Sequence, residues 1–163
     1  MFPDDIIELS AQVLDSARAR GWTIAAAESC TGGLVAAALT EVAGSSDVVD
    51  RGLVTYSNTA KQALLAVPPT LLAEFGAVSA GVARAMAEGA LAISGVDLAV
   101  AITGVAGPGG GSPDKPVGLV WLAVAVKGGE TDVRERRFGD IGRSRVRLAS
   151  VSAALEMLLE RLA

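Results

Sequence analysis

Histidine is absent from all 163 residues. That absence removes the commonest general base, the commonest transition-metal ligand and every Ser-His-Asp or Cys-His arrangement for nucleophilic catalysis. Cysteine occurs once, at Cys30, so no internal disulfide can form. The N-terminal stretch lacks a basic start followed by an apolar run and a small-residue cleavage site, and together these features point to a reducing, cytoplasmic setting. Positive charge is in short supply: 14 basic against 18 acidic side chains leave a net charge of −4. No overall positive field exists to hold a polyanion, and nucleic acid is not an expected partner. Charges or glycines break every apolar segment before the ~20 residues that span a bilayer, which argues against a membrane partner. The acidic residues are scattered and form no recognisable ligand series, so neither a metal nor a bound cofactor is expected.

What is present is a chain of one-domain length, long enough to bury a substantial core without disulfides or metals, and residues 1–163 are taken as a single domain. Ile6, Leu9, Val13, Leu14 and Ala17 recur at helical spacing and stop at Gly21. "WTIAAA" reads as a short buried strand, the turn ESCTGG follows, and "LVAAALTEV" continues as an alanine-rich helix. "RGLVTY" is a second strand, leading into a helix over "SNTAKQALLAV" that Asn58 would cap. Pro68 and Pro69 start another short helix, Ser79 caps the long helical pattern ending near Gly95, and "DLAVAIT" is an apolar strand of the kind buried on both faces. "VGLVWLAVAV" and "TDVRERRF" flank "KGGE", whose glycines suit a hairpin, and a last helix carries Val146, Ala149, Ala153, Leu155, Leu158 and Leu162. Strands alternating with helices predict a three-layer α/β/α domain with a mostly parallel mixed sheet and a C-terminal antiparallel hairpin. In such sheets ligands sit beyond the carboxyl ends of the strands. Three of those ends are polar here: Glu28-Ser29-Cys30-Thr31, Tyr56-Ser57-Asn58 and Thr103-Gly104.

Ser29 is therefore either a nucleophile or a helix cap. Without histidine, the practical bases for a serine hydroxyl are a carboxylate or a neutral lysine. Lys61, Lys115 and Lys127 are the only lysines, and Lys61 alone follows a strand end. Burial beside Ala60 and Leu64 would strip its charge and make it a base; otherwise it is a solvated surface lysine. Tyr56 would relay a proton or orient the amine, or is simply packed. Backbone N–H groups at Thr31, Gly32 and Gly33 can receive a phosphate or an oxyanion, with plain helix initiation as the alternative. Cys30, pointing away from Ser29, is assigned to the core.

The loop from Thr103 to Pro116, "TGVAGPGGGSPDKP", is richer in glycine than chain reversal requires and should cradle something anionic or planar, unless it is a flexible surface lid. It matches neither GxxxxGK[ST] nor GxGxxG. Arg134, Arg136, Arg137, Arg143, Arg145 and Arg147 make the last third locally basic. Arg143 and Arg147 share a helical face whose start would suit a phosphate, though arginines of this kind are usually solvated or paired with neighbours such as Glu130, Asp132 and Glu135.

"AESCTGGLVAAALTEVAGSSDVVDRGLVTYSNTAK", "VSAGVARAMAEGA" and "AITGVAGPGGGSPDKPVG" together resemble the CinA C-terminal domain family over roughly nine tenths of the chain. The resemblance implies a nicotinamide-nucleotide amidohydrolase, which hydrolyses nicotinamide mononucleotide to nicotinate mononucleotide and ammonia by a serine-lysine mechanism. Carried across by motif, Ser29 attacks the carboxamide, Lys61 takes its proton and Tyr56 assists. The oxyanion would lie against N–H groups of the Ser29 turn or the Thr103–Gly107 loop. The nucleotide would be held by Thr31, Gly32, Gly33, Thr103, Gly104, Gly107, Gly109 and Arg143. Ala66 departs from the common LGV, and "GDIGRSRVR" is longer than the usual GDRxxxR. A stand-alone form, without the N-terminal nucleotide-processing domain of the larger proteins, is expected. A binding or regulatory module that does not cleave its ligand, and a serine-lysine hydrolase of another amide, are the competing functions. Alanine-rich helix faces and an exposed Trp22 or Trp121 would suit a homo-oligomer, and core packing explains them equally well.

Overall fold

The computed structural model describes residues Met1–Ala163. Five strands, β1 (Ile24–Glu28), β2 (Val49–Val54), β3 (Leu98–Gly104), β4 (Leu119–Val126) and β5 (Asp132–Arg137), form one sheet in the order β2-β1-β3-β4-β5. β2, β1 and β3 are mutually parallel, whereas β4 runs antiparallel to both β3 and β5. The sheet is thus mixed, as the sequence pattern implies, and the hairpin at KGGE is present. The antiparallel β3–β4 pair is an additional one: the loop that follows β3 holds no helix to carry the chain back for a parallel strand.

Helices α1 (Asp4–Arg20), α2 (Leu34–Thr40) and α6 (Arg143–Leu162) cover one face; α3 (Asn58–Leu65), α4 (Pro69–Phe75) and α5 (Ala80–Ser94) cover the other. The strands assign different side chains to each face by their period of two. Ile24, Leu98, Val100, Ile102, Val120, Leu122 and Val124 point into the core beneath α1 and α6. Ala25, Ala27, Ala99, Ala101, Ala123 and Ala125 make the opposite face almost flat, and the small residues Ala83, Ala87 and Ala90 of α5 lie directly on it. On that side Gly89 brings α5 against the end of α3, where a Cβ would stand 2.0 Å from Leu65 O.

Three local expectations change. Ser57, not Asn58, caps α3, its hydroxyl accepting from Ala60 N–H at 3.0 Å. Trp22 and Trp121 are half-buried rather than exposed: Trp121 packs against the α5 side of the core, and Arg20 sits 5.1 Å above the Trp22 ring. The second strand begins and ends two residues earlier than RGLVTY, at Val49–Val54, which places Tyr56 in the connection to α3. No helix is long and apolar enough to cross a membrane.

Chain connections leave β1 and β3 in opposite senses. α2 carries the chain from β1 to β2 over one face, and α3, α4 and α5 carry it from β2 to β3 over the other. A crevice at the carboxyl ends of β1 and β3 follows from that change of side.

Candidate active site

The crevice is a cleft of about 290 Å³ in which all three polar strand ends meet: Ser29 and Cys30 just past β1, Tyr56 from the β2–α3 connection with Asn58 opening α3, and Thr103 and Gly104 ending β3. Gly107, Gly109 and Gly110 form one wall and Arg143, opening α6, stands at the rim. Lys61 and Arg143 are the basic residues of the lining and no acidic side chain joins them, in a protein of net negative charge.

Lys61 is the largest of the fully buried side chains, 1% exposed. One helical turn past the Ser57 cap, its stem runs into the protein and its Nζ stops 2.9 Å from Ser29 Oγ and 2.8 Å from Thr55 O, to which it donates. Burial lowers its pKa below the ordinary lysine value of 10.5. The one opposing influence is negative charge on Cys30, and burial pushes that thiol up to about 12, so at neutral pH no thiolate is there to hold the ammonium. A neutral amine suits the surroundings: it donates to Thr55 O and offers its lone pair to the Ser29 hydroxyl.

Ser29 does not cap α2. That task falls to Glu28, which is fully buried at the end of β1 and whose carboxylate accepts from Val35 N–H and Gly33 N–H, each at 3.0 Å, and from Ala36 N–H at 2.9 Å. A carboxylate on the first turn satisfies orphan donors and faces the positive end of the helix. With Glu28 in that position, Ser29 is freed from any structural hydrogen bond of its side chain other than the one with Lys61. Thr31, Gly32 and Gly33 do not line the cleft; the Gly32 N–H donates to Ser29 O and the Gly33 N–H to Glu28, so these two donors serve the turn and the helix cap.

Thr103 is buried and its hydroxyl donates to Ala77 O at 2.8 Å, fixing the Ala77–Val78 wall of the cleft. Gly104 has a packing reason: a Cβ would lie 2.7 Å from Val120 Cγ2 and 2.8 Å from Leu119 O. Gly109 has none, since a Cβ there would meet nothing within 4 Å and its φ is not positive, leaving open space beside the cleft. Tyr56 is 62% exposed. Its hydroxyl accepts from Arg143 Nη2 at 3.0 Å, and Arg143 Nη1 donates to Gly107 O at 2.8 Å, so this arginine bridges two sides of the mouth. Neither Ser29 nor Lys61 is a partner of the Tyr56 hydroxyl.

The remaining arginines divide. Arg134 pairs with Asp132 and Glu160, and Arg137 with Glu135, as ordinary surface networks. Arg147 instead reaches the Ser29 turn, Nε donating to Cys30 O at 3.1 Å and Nη2 to Thr31 O at 3.0 Å. The contacts of Glu28 and Arg147 were not legible in the sequence; only the order Glu-Ser-Cys-Thr at a strand end hinted at the first. No group of three or more Cys, Asp or Glu side chains is placed to hold a metal ion.

A family model described as the CinA C-terminal domain matches residues 6–162. A CinA-like protein of Geobacter sulfurreducens is 56% identical over 145 residues, covering 89% of this chain and 35% of that protein. A protein of Enterobacter agglomerans named nicotinamide-nucleotide amidohydrolase PncC is 48% identical over 153 residues, covering 93% of this chain and 92% of its own length. The chain thus spans between 26% and 38% of the CinA-like proteins it matches, and most of the amidohydrolase. Among solved structures, the competence/damage inducible protein CihA of Agrobacterium tumefaciens superposes with a TM-score of 0.97 at 54% identity, covering 98% of this chain and 97% of that one.

Proposed function

We propose, from the premise that this chain belongs to the CinA C-terminal domain family, that it is an amidohydrolase converting nicotinamide mononucleotide to nicotinate mononucleotide and ammonia through Ser29 and Lys61. The observation that carries the mechanism is the 2.9 Å approach of a buried lysine amine to a serine hydroxyl in a cleft.

Lys61 takes the proton as Ser29 Oγ bonds to the carboxamide carbon. The carbonyl oxygen of the tetrahedral adduct gains the negative charge, and the backbone N–H of Cys30, the residue after the nucleophile, is free to face it. Collapse breaks the C–N bond, Lys61 returns its proton to the departing nitrogen, and ammonia leaves a serine ester. Water then attacks that ester with Lys61 again as base, releasing the carboxylic acid and restoring Ser29. Burial serves both halves of this cycle, because disfavouring the ammonium makes the amine readier to accept the Ser29 proton and the ammonium readier to return it.

The ligand's anionic end belongs at the rim, with Arg143 and the Gly107–Gly110 loop, since the Gly32 and Gly33 donors are already engaged within the protein. Arg143 would exchange its contact with Tyr56 for the phosphate, leaving the exposed Tyr56 ring beside the bound pyridine. Thr103 and Gly104 shape the wall.

Ammonia release from nicotinamide mononucleotide tests this. The wild type is expected to turn over, and Ser29→Ala and Lys61→Met to lose at least about 10³-fold in kcat. Binding without ammonia release from the wild type would favour a non-cleaving module, and turnover persisting in both variants would refute the dyad.

A further inference from the structure

The turn that carries Ser29 can be accounted for group by group. Its carbonyls from Ser29 to Thr31 are all occupied: Ser29 O by the Gly32 N–H, Cys30 O by Arg147 Nε, and Thr31 O by Arg147 Nη2 and the Leu34 N–H. Among its N–H groups, Ser29 donates to Ile102 O, Gly32 to Ser29 O and Gly33 to Glu28. Cys30 and Thr31 are left, and neither N–H donates to any other part of the protein.

Arg147 accounts for this pattern. It is half-buried, it is not part of the cleft lining, and both of its hydrogen bonds go to main-chain carbonyls of this turn. Gly32 admits it, because a Cβ at that position would stand 3.3 Å from Nη2. In a trans peptide the C=O and N–H point to opposite sides. Holding Thr31 O toward α6 therefore turns the Gly32 N–H the other way, where it donates to Ser29 O, and the Cys30 N–H on the far side of that Ser29–Cys30 peptide is left without a partner. Helix α6 covers one face of the sheet, while Lys61 enters from α3 on the other. Cys30 lines the cleft that Lys61 enters, and the fully buried Thr31 does not.

We infer that Arg147 is a positioning residue for catalysis: gripping the Cys30 and Thr31 carbonyls, it holds the turn after Ser29 so that the Cys30 N–H stays unpartnered as the oxyanion donor for acyl transfer at Ser29. The inference rests on Ser29 being the nucleophile of the amidohydrolase proposed above. It assigns to an arginine outside the cleft a contribution to the transition state rather than to substrate affinity. Glu28 holds the same turn from the opposite direction, taking N–H groups where Arg147 takes carbonyls.

The test uses the full chain with Arg147→Ala and Arg147→Lys, and two reactions. One is ammonia release from nicotinamide mononucleotide; the other is the nitrophenolate burst from p-nitrophenyl acetate, with Ser29→Ala as the blank, which needs the nucleophile and the oxyanion donors but no nucleotide. Arg147→Ala is expected to lower kcat and the burst rate constant by about 10²-fold, the usual effect of disabling one oxyanion donor, with KM changed by less than about threefold. Millimolar guanidinium should recover about tenfold of that loss, and Arg147→Lys, which cannot bridge both carbonyls as a planar fork, should fall between the two. A burst that falls in the variants while the wild type leaves the nucleotide intact would sustain Arg147 and sink only the substrate. A loss confined to KM, a folded Arg147→Ala protein indifferent to guanidinium, or an absent Ser29-dependent burst would overturn the inference. Should Arg147→Ala fail to fold, wild-type kcat in Arg147→Lys would overturn it equally.

Discussion

Replacing Glu28 by glutamine changes one oxygen to an amide nitrogen and removes one charge, so its effect can be worked through contact by contact. The carboxylate accepts three backbone N–H bonds, two on Oε2 from Gly33 and Val35 and one on Oε1 from Ala36. Glutamine can keep its oxygen at the doubly used position only by facing its NH₂ toward the Ala36 N–H, which sets donor against donor inside a fully buried site. Losing a charge-assisted hydrogen bond there is worth about 1.5–3 kcal/mol, and losing negative charge at the first turn of α2 adds about 0.3–1 kcal/mol. The sum, about 2–4 kcal/mol, is a large part of the ~5–15 kcal/mol that keeps a domain folded. For a chain of this length it corresponds to a melting temperature lower by about 5–15 °C. Thermal and urea unfolding followed by circular dichroism measure it. A Glu28→Gln protein melting within about 2 °C of wild type would show that the buried carboxylate is not what holds the nucleophile turn to α2.

Ala66 ends α3 at φ 53°, a conformation that burdens residues bearing a Cβ, so Ala66→Gly should raise stability by about 0.5–1 kcal/mol in urea unfolding; a less stable variant would contradict this. Gly89→Ala should be destabilised by at least about 3 kcal/mol, because its Cβ would fall 2.0 Å from Leu65 O and push α5 off α3; wild-type melting would refute that packing. Lys61, its pKa lowered from 10.5 by burial, binds a proton less readily folded than unfolded. Wild-type stability relative to Lys61→Met should therefore rise with pH from the depressed native value up to about 10.5 and level off above it, and a difference that falls with pH in titrated urea melts would reverse the sign. Cys30, buried with its thiol pushed up to about 12, should resist a thiol reagent at pH 8 until the protein is unfolded; stoichiometric labelling of native protein would contradict its placement.

The Ser29–Lys61 pairing was in part readable because so little else was available. With histidine absent and three lysines to choose from, the strand ends made Ser29 and Lys61 candidates, with a helix cap and a solvated lysine as the alternatives, and they stand 2.9 Å apart. The layers were readable too, since alternation in the strands and helical spacing between them are local signals. What escaped was set by contacts between distant parts of the chain. Arg147 meets the Ser29 turn across 117 residues of sequence, and nothing near it distinguishes it from the paired arginines of β5. Glu28 caps a helix from the strand before it, five residues ahead of its first donor, where capping patterns are not sought. Ser57 took the cap expected of Asn58 because the helix begins one residue earlier than the pattern suggested, within the usual latitude of helix ends. The antiparallel β3–β4 pairing depends on where a glycine loop sends the chain, which no periodicity records.

The most direct test of the central claim is intact-mass and peptide analysis of the wild-type protein quenched in acid during turnover of nicotinamide mononucleotide. An acyl adduct carrying the nucleotide, ester-linked at Ser29 and missing from Ser29→Ala, is the expected result. Ammonia release with no adduct when hydrolysis of the ester is made limiting, or an adduct on Cys30 or Lys61 instead, would contradict the assignment of Ser29 as nucleophile and Lys61 as its base.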